Sequence, residues 1–215
     1  MKPIQVKYIV KTTSWQIHKT LKDLEKIPEL SFDIETKGVY SKEERKEALE
    51  TLKSEDIDIY LRKLASVVSN NSGLSFPTLI ETTHFIFGLT KDESIILIPE
   101  NASTEILIWN WLKTYPGTLY IHNTLFDLKV MYSRIKALPN NYEDTALWVK
   151  TLINNSDSWK ASVKLKELMG EYYDPAWTLI DEYEPDNVLD PKFLRYAAID
   201  GAATYYLQEL IKEEL

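Results

Sequence analysis

The chain has 215 residues, 44% of them apolar, with a formal net charge of −8 and no cysteine. Such a length and composition suit one compact domain, or one domain carrying a sizeable insertion; the missing cysteines exclude disulfides and thiolate metal sites and fit a reducing compartment. The negative charge argues against a protein that grips phosphates with lysine and arginine alone, unless bound cations reverse the local sign of an acidic site.

The opening MKPIQVKYIVKTTSW contains no long apolar run, and no later stretch nears the roughly 18 apolar residues of a membrane helix, so a cytoplasmic protein with no membrane partner is expected. Residues 6–11 alternate weakly, as a first strand would. Thr13 with Gln16 has capping-box spacing and opens a helix whose Trp15, Ile17, Leu21 and Leu24 fall near one face. Residues 30–34 form a short buried strand that delivers Asp33 and Glu35. Residues 41–82 look like a helical insertion. Ser41 with Glu44 opens its first helix, Ile57, Leu61, Leu64 and Val68 mark a second, and 69–77 is a polar loop. Peripheral decoration and a substrate clamp both remain open for this segment.

Residues 84–89 and 94–99 read as a hairpin. A helix over 104–113, a strand over 118–121 and a helix over 125–135 follow. Residues 144–153 and 162–169 are helical, 170–187 is an acidic, aromatic loop, and Pro191 opens a last helix running to about 210. Strands in the first two-thirds with helices around and after them indicate an α/β layered domain with a site at the strand ends.

Three segments carry carboxylates suited to chemistry. In Phe32-Asp33-Ile34-Glu35-Thr36 the two acids are two apart on a strand and share a face. Adjacent carboxylates repel unless protons or cations intervene, and an all-oxygen donor set suits Mg2+ or Mn2+. In His122-Asn123-Thr124-Leu125-Phe126-Asp127 a strand hands over to a helix, which puts Asp127 in the first, positive turn. In Tyr196-Ala197-Ala198-Ile199-Asp200-Gly201 the Tyr and Asp are four apart on one helical face, and Ala197, Ala198, Ala202 and Ala203 are small enough for a close approach to the sheet. Each segment alone also fits a plain structural role: a helix start for Asp127, an amphipathic core helix for Tyr196 and Asp200.

Taken together, in this order, the three segments resemble the motifs of the DEDD superfamily of 3′→5′ exonucleases, in the subgroup with a motif III tyrosine. Asp33 and Glu35 match motif I, Asp127 matches motif II, and Tyr196 with Asp200 matches motif III. The subgroup with histidine has that residue five before the last aspartate, where this chain has Arg195. The segment KYIVKTTSWQIHKTLKDLEKIPELSFDIET is similar to the opening of the proofreading domain of family A DNA polymerases, and residues 41–82 depart from that pattern. The resemblance implies an RNase H-like exonuclease fold: a mixed central sheet flanked by helices, in a single domain over 1–215.

It also implies two divalent cations, Mg2+ or Mn2+, held by Asp33, Glu35, Asp127 and Asp200, with Tyr196 orienting the attacking water. The substrate would be a single-stranded DNA 3′ end cut to nucleoside 5′-monophosphates, and a DNA polymerase domain or subunit would be a partner. By the same likeness Thr36 contacts the terminal sugar or phosphate, Asn123 bonds near the scissile group, Phe126 packs beside it and Val39 lies at an apolar wedge. Trp177 offers a face for base stacking. Core packing is the competing reading for Val39, Phe126 and Trp177.

His18 and His84 read as surface or satisfied structural histidines, and Asp144 as a helix N-cap rather than a ligand. Two rivals remain. One is an RNase D-type exoribonuclease, which carries the same residues; the opening segment, and the lack of a further helical domain after Asp200, favour DNA. The other is a binding or scaffold module that kept the fold and lost activity, a state in which a carboxylate should be missing. The Lys-, Ile- and Asn-rich composition suits an AT-rich bacterium or phage.

Overall fold

The computed structural model describes residues 5–38, 40–54, 57–69, 80–155, 162–173, 175 and 187–214. Val39, Trp177, and most of the loops expected at 69–77 and 170–187 lie outside the described residues. In chain order the elements are β1 (Lys7–Lys11), α1 (Ser14–Leu24), β2 (Glu29–Gly38), α2 (Lys42–Leu52), α3 (Ile59–Ser69), β3 (Ile80–Thr90), β4 (Glu93–Leu97), α4 (Ala102–Thr114), β5 (Thr118–Ile121), α5 (Leu125–Ile135), β6 (Tyr142–Asp144), α6 (Thr145–Asn155), α7 (Leu165–Tyr172) and α8 (Pro191–Glu214).

Six strands form one mixed sheet in the order β1-β4-β3-β2-β5-β6. β3 runs antiparallel to both of its neighbours, and the other pairings are parallel. β2 therefore lies inside the sheet, between β3 and β5, and its alternating side chains enter two different layers. Phe32 and Ile34 join Phe85, Phe87 and Trp109 in a buried cluster under α1, α4 and α5. Trp109 meets the rings of Phe32 and Phe85 edge to face, the latter at 4.7 Å between centroids. On the opposite face Ile86, Ile96 and Ile98 pack on Leu194, Ala197 and Ala198 of α8.

Several local expectations need correction. Thr13 caps α1 by accepting from the Gln16 amide at 3.4 Å, but the Gln16 side chain reaches the Thr12 amide instead of closing a box with Thr13. Trp15 is 71% exposed and does not share the buried face of Ile17, Leu21 and Leu24. The Ser41–Glu44 box is complete. The inserted segment ends earlier than 82, because Ile80, Glu81 and Thr82 continue β3 opposite Gly38, Lys37 and Thr36. α2 and α3 pack on one another at the tip of this long β2–β3 hairpin, with Ile59 and Tyr60 exposed. β6 has only three residues, too few to show a period, and was not foreseen. α7 continues through Gly170 to Tyr172, past the point where a loop was expected.

Candidate active site

The site lies where β2 passes under α8. Ser31, Asp33 and Glu35 are paired across the sheet with Gly88, Ile86 and His84, so all six positions belong to the face that meets α8. The approach is close because small residues stand where the helix crosses the sheet. Ala197, Ala198, Ala202 and Ala203 are fully buried, as the small-residue pattern of this helix led one to expect. A Cβ added to Gly88 would stand 2.2 Å from Ser31 Oγ and 2.3 Å from the Gly201 carbonyl oxygen. Two sheet hydroxyls then fix the helix lengthwise. Ser31 Oγ donates to the Gly201 carbonyl at 2.6 Å and Ser94 Oγ to the Ala198 carbonyl at 2.7 Å. Both bonds fall within two residues of Asp200 and are buried, so they resist competition from water. Neither serine was singled out from the sequence. The available signal was a polar residue two before Asp33, on the same strand face.

Carboxylate oxygens of Asp33, Glu35 and Asp200 lie within 4.8 Å of one another. Asp127, in the first turn of α5, is buried beside them. The Ile34 amide of β2 donates to the Asp127 carboxylate, while its Oδ1 has no hydrogen-bond partner among the described residues. Burial pushes Asp127 up to about 7. Burial also pushes Asp33 well above the usual carboxylate range, and the charges of Asp127, Glu35 and Asp200 push it the same way. A buried, unsatisfied carboxylate oxygen facing a cluster of mutually repelling acids is what a hard divalent cation relieves. The donor set is all oxygen and fits Mg2+ or Mn2+.

Asp144 is what holds the turn before Asp127 in place. It ends β6 and caps α6 through the amides of Ala146 and Leu147, as expected of an N-cap. It also accepts from the amides of Asn123 and Thr124 at 3.1 and 3.0 Å and from the Thr124 hydroxyl at 2.8 Å. Asn123 takes φ 63° at this corner, a left-handed conformation that asparagine tolerates better than most residues. Its side chain is exposed. Phe126 is partly buried and packs against the main core, as its competing core reading held. Thr36 follows Glu35 beyond a register shift at which Thr83 donates to the Glu35 carbonyl.

Tyr196 donates its hydroxyl to Asp200, and burial with the negative charges of Asp200 and Glu35 raises its pKa above the ordinary tyrosine value. It therefore stays a protonated donor at neutral pH. Its ring leans on Phe193 at 5.9 Å between centroids, and Phe193 on His84 at 5.0 Å. His84 is buried and bonded to the Val188 carbonyl, consistent with a structural histidine. His122 does a similar job across the site, bridging the Thr145 hydroxyl and the Val163 carbonyl at 2.9 and 2.8 Å. Burial lowers the pKa of both imidazoles.

No family model and no curated protein matches this sequence. Solved structures do match. NrnC of Brucella melitensis bound to pGG superposes with TM-score 0.59 at 16% identity, covering 98% of this chain and 81% of that one. The same Brucella protein with bound Mg2+ matches at TM-score 0.56 and 15% identity, over 97% and 81% of the two chains. The catalytic core of RRP6 from Trypanosoma brucei matches at TM-score 0.62 and 12% identity, over all of this chain and 49% of that one. Escherichia coli RNase D, an exoribonuclease involved in structured RNA processing, matches at TM-score 0.56 and 15% identity, over 97% and 45%. At such identities the likeness is one of architecture: the chain has the RNase H-like exonuclease fold.

Proposed function

We propose that this chain is a metal-dependent 3′→5′ exonuclease of the tyrosine-bearing DEDD type, acting on single-stranded RNA or short oligoribonucleotides. One observation carries the reading. Carboxylate oxygens of Asp33, Glu35 and Asp200 lie within 4.8 Å of one another, the charge of Asp127 bears on Asp33, and Asp127 Oδ1 has no hydrogen-bond partner among the described residues. Asp33, Glu35, Asp127 and Asp200 would hold the divalent cations. When bound, such cations supply Lewis-acid activation of water and neutralise charge on the phosphate. Tyr196 orients the attacking water as a neutral hydrogen-bond donor and acceptor. β2 and β4 hold α8 in place, and with it the acids, through the Ser31 and Ser94 bonds, and Asp144 sets the start of α5 so that Asp127 faces them.

RNA is favoured over DNA because the solved structures of like architecture include an exoribonuclease. A DNA substrate remains the second reading, carried by the polymerase-like segment that spans β1, α1 and most of β2. Asn123 is exposed at the mouth of the motif II turn and is retained as a substrate contact. A partner polymerase is a further part of the DNA reading alone. Among the described residues no helix is long and apolar enough to cross a membrane.

The test is digestion of 5′-labelled single-stranded RNA and its DNA counterpart with Mg2+, with Mn2+ and with EDTA, beside Asp33→Ala. A metal-dependent ladder shrinking from the 3′ end, faster on RNA and absent in the variant, is expected. Metal-replete protein that cuts neither strand overturns the proposal.

A further inference from the structure

We infer that Lys166 is a phosphate contact of the bound strand, delivered to the site across the face of Tyr196; this rests on the exonuclease reading above. The ammonium of Lys166 stands 4.7 Å from the centre of the Tyr196 ring, and the same ring carries the hydroxyl that donates to Asp200. The cation is thus one ring away from the carboxylate cluster. Its position is set from the middle of α7 and from the segment just before it. Leu168 and Met169 are buried against Ile199, Ala203 and Leu207 of α8, and the Val163 carbonyl just before α7 is held by His122, next to the motif II turn.

The neighbouring acid does not draw the ammonium away. Glu167 is engaged by Lys164 at 2.9 Å and by the Ser162 hydroxyl at 2.5 Å. An ammonium has three donors, and resting on an aromatic face satisfies it electrostatically without consuming all of them. It is then available to an anionic oxygen as a point charge, the way lysine ordinarily binds phosphate. The need for such a charge is plain in a chain of net charge −8, whose site is lined by acids. Any phosphodiester that reaches Asp200 borders the Tyr196 ring, and Lys166 lies on the face of that ring.

The experiment measures kcat/KM for a single-stranded RNA oligonucleotide with Mg2+ across a series of salt concentrations, for wild type, Lys166→Met and Lys166→Arg. Lys166→Met should lower kcat/KM about tenfold, the usual scale for one charge-assisted hydrogen bond. It should also make the log–log salt dependence shallower by about 0.7, the value for one fewer phosphate contact on a single strand. Lys166→Arg should restore most of both, and the melting temperature should barely move. A lower kcat/KM with an unchanged salt slope would show that Lys166 acts only by holding Tyr196, and an unchanged kcat/KM would show a bystander; either overturns the inference while leaving the exonuclease intact. A wild-type protein inactive on every strand removes both together.

Discussion

On one face of β2, Phe32 and Ile34 sink among Phe85, Phe87 and Trp109; on the other, Ser31, Asp33 and Glu35 meet α8 where Gly88, Gly201 and the alanines of that helix allow a close approach. One strand supplies both surfaces by alternation, yet they are held by different means. The aromatic face is stabilised by buried area, at about 1.5–3 kcal/mol for each large side chain. The acids themselves gain little from area, although Ile86, Ile96 and Leu194 beside them are buried. Their geometry depends on close approach, on two serine-to-carbonyl bonds and on repulsion that cations would relieve. The side chains that contribute least to stability are therefore the ones whose placement is most demanding.

The sharpest way to break this comparison is a pair of substitutions one residue apart. Asp33→Asn should reduce nuclease activity on the order of 10³-fold or more, yet leave the metal-free melting temperature unchanged or raised, because a repelling charge is gone. Phe32→Ala should cost about 3–5 kcal/mol in denaturant unfolding. Comparable destabilisation by both would show that the two faces are not distinct. Gly88→Ala comes next. Its Cβ would collide with Ser31 Oγ and the Gly201 carbonyl, so α8 must shift, at about 1–3 kcal/mol. Activity, assayed well below the melting temperature, should fall further than that loss accounts for, since the same helix carries Tyr196 and Asp200.

A third prediction concerns pH. Asp127 and Asp33 have raised folded-state pKa values, with Asp127 at about 7. Between the ordinary aspartate value and about 7 the folded state binds more protons than the unfolded one. These groups therefore make metal-free stability decline as pH rises through that window. Mg2+ competes with those protons, so the rise in melting temperature on adding it should be larger at pH 8 than at pH 5.5. Equal shifts at both values would mean that the carboxyls are already ionised without metal. The smallest effect is reserved for Ser31→Ala, which removes one buried bond to the Gly201 carbonyl and one from the Gly88 amide. It should cost about 1–3 kcal/mol, with a modest drop in kcat. A loss of kcat as deep as that of Asp33→Asn would mean that the serine takes part in the chemistry.

Substrate choice was the least legible property. The opening segment favoured DNA and the proposal above favours RNA, because recognition of a 2′-hydroxyl rests on one or two contacts that neither spacing nor fold specifies.

What the sequence by itself determined was local. The pairing of Asp33 with Glu35, and of Tyr196 with Asp200, follows from strand and helix periods that need no tertiary information. The Ser41 cap, and the small face of α8, are likewise written in neighbouring residues. Only the tertiary structure decided the rest. β6 has three residues and no period, and exists because β5 offers it an edge. The extended β2–β3 hairpin, which shortens the insertion, is a pairing between segments separated by two helices. Asp144 looked like a simple cap, and its hold on Asn123 and Thr124 appears only when β6 lies beside β5. The site itself is of the same kind. Local rules place each carboxylate on its element, but the cost of bringing four together is met only when sheet and helices close around them.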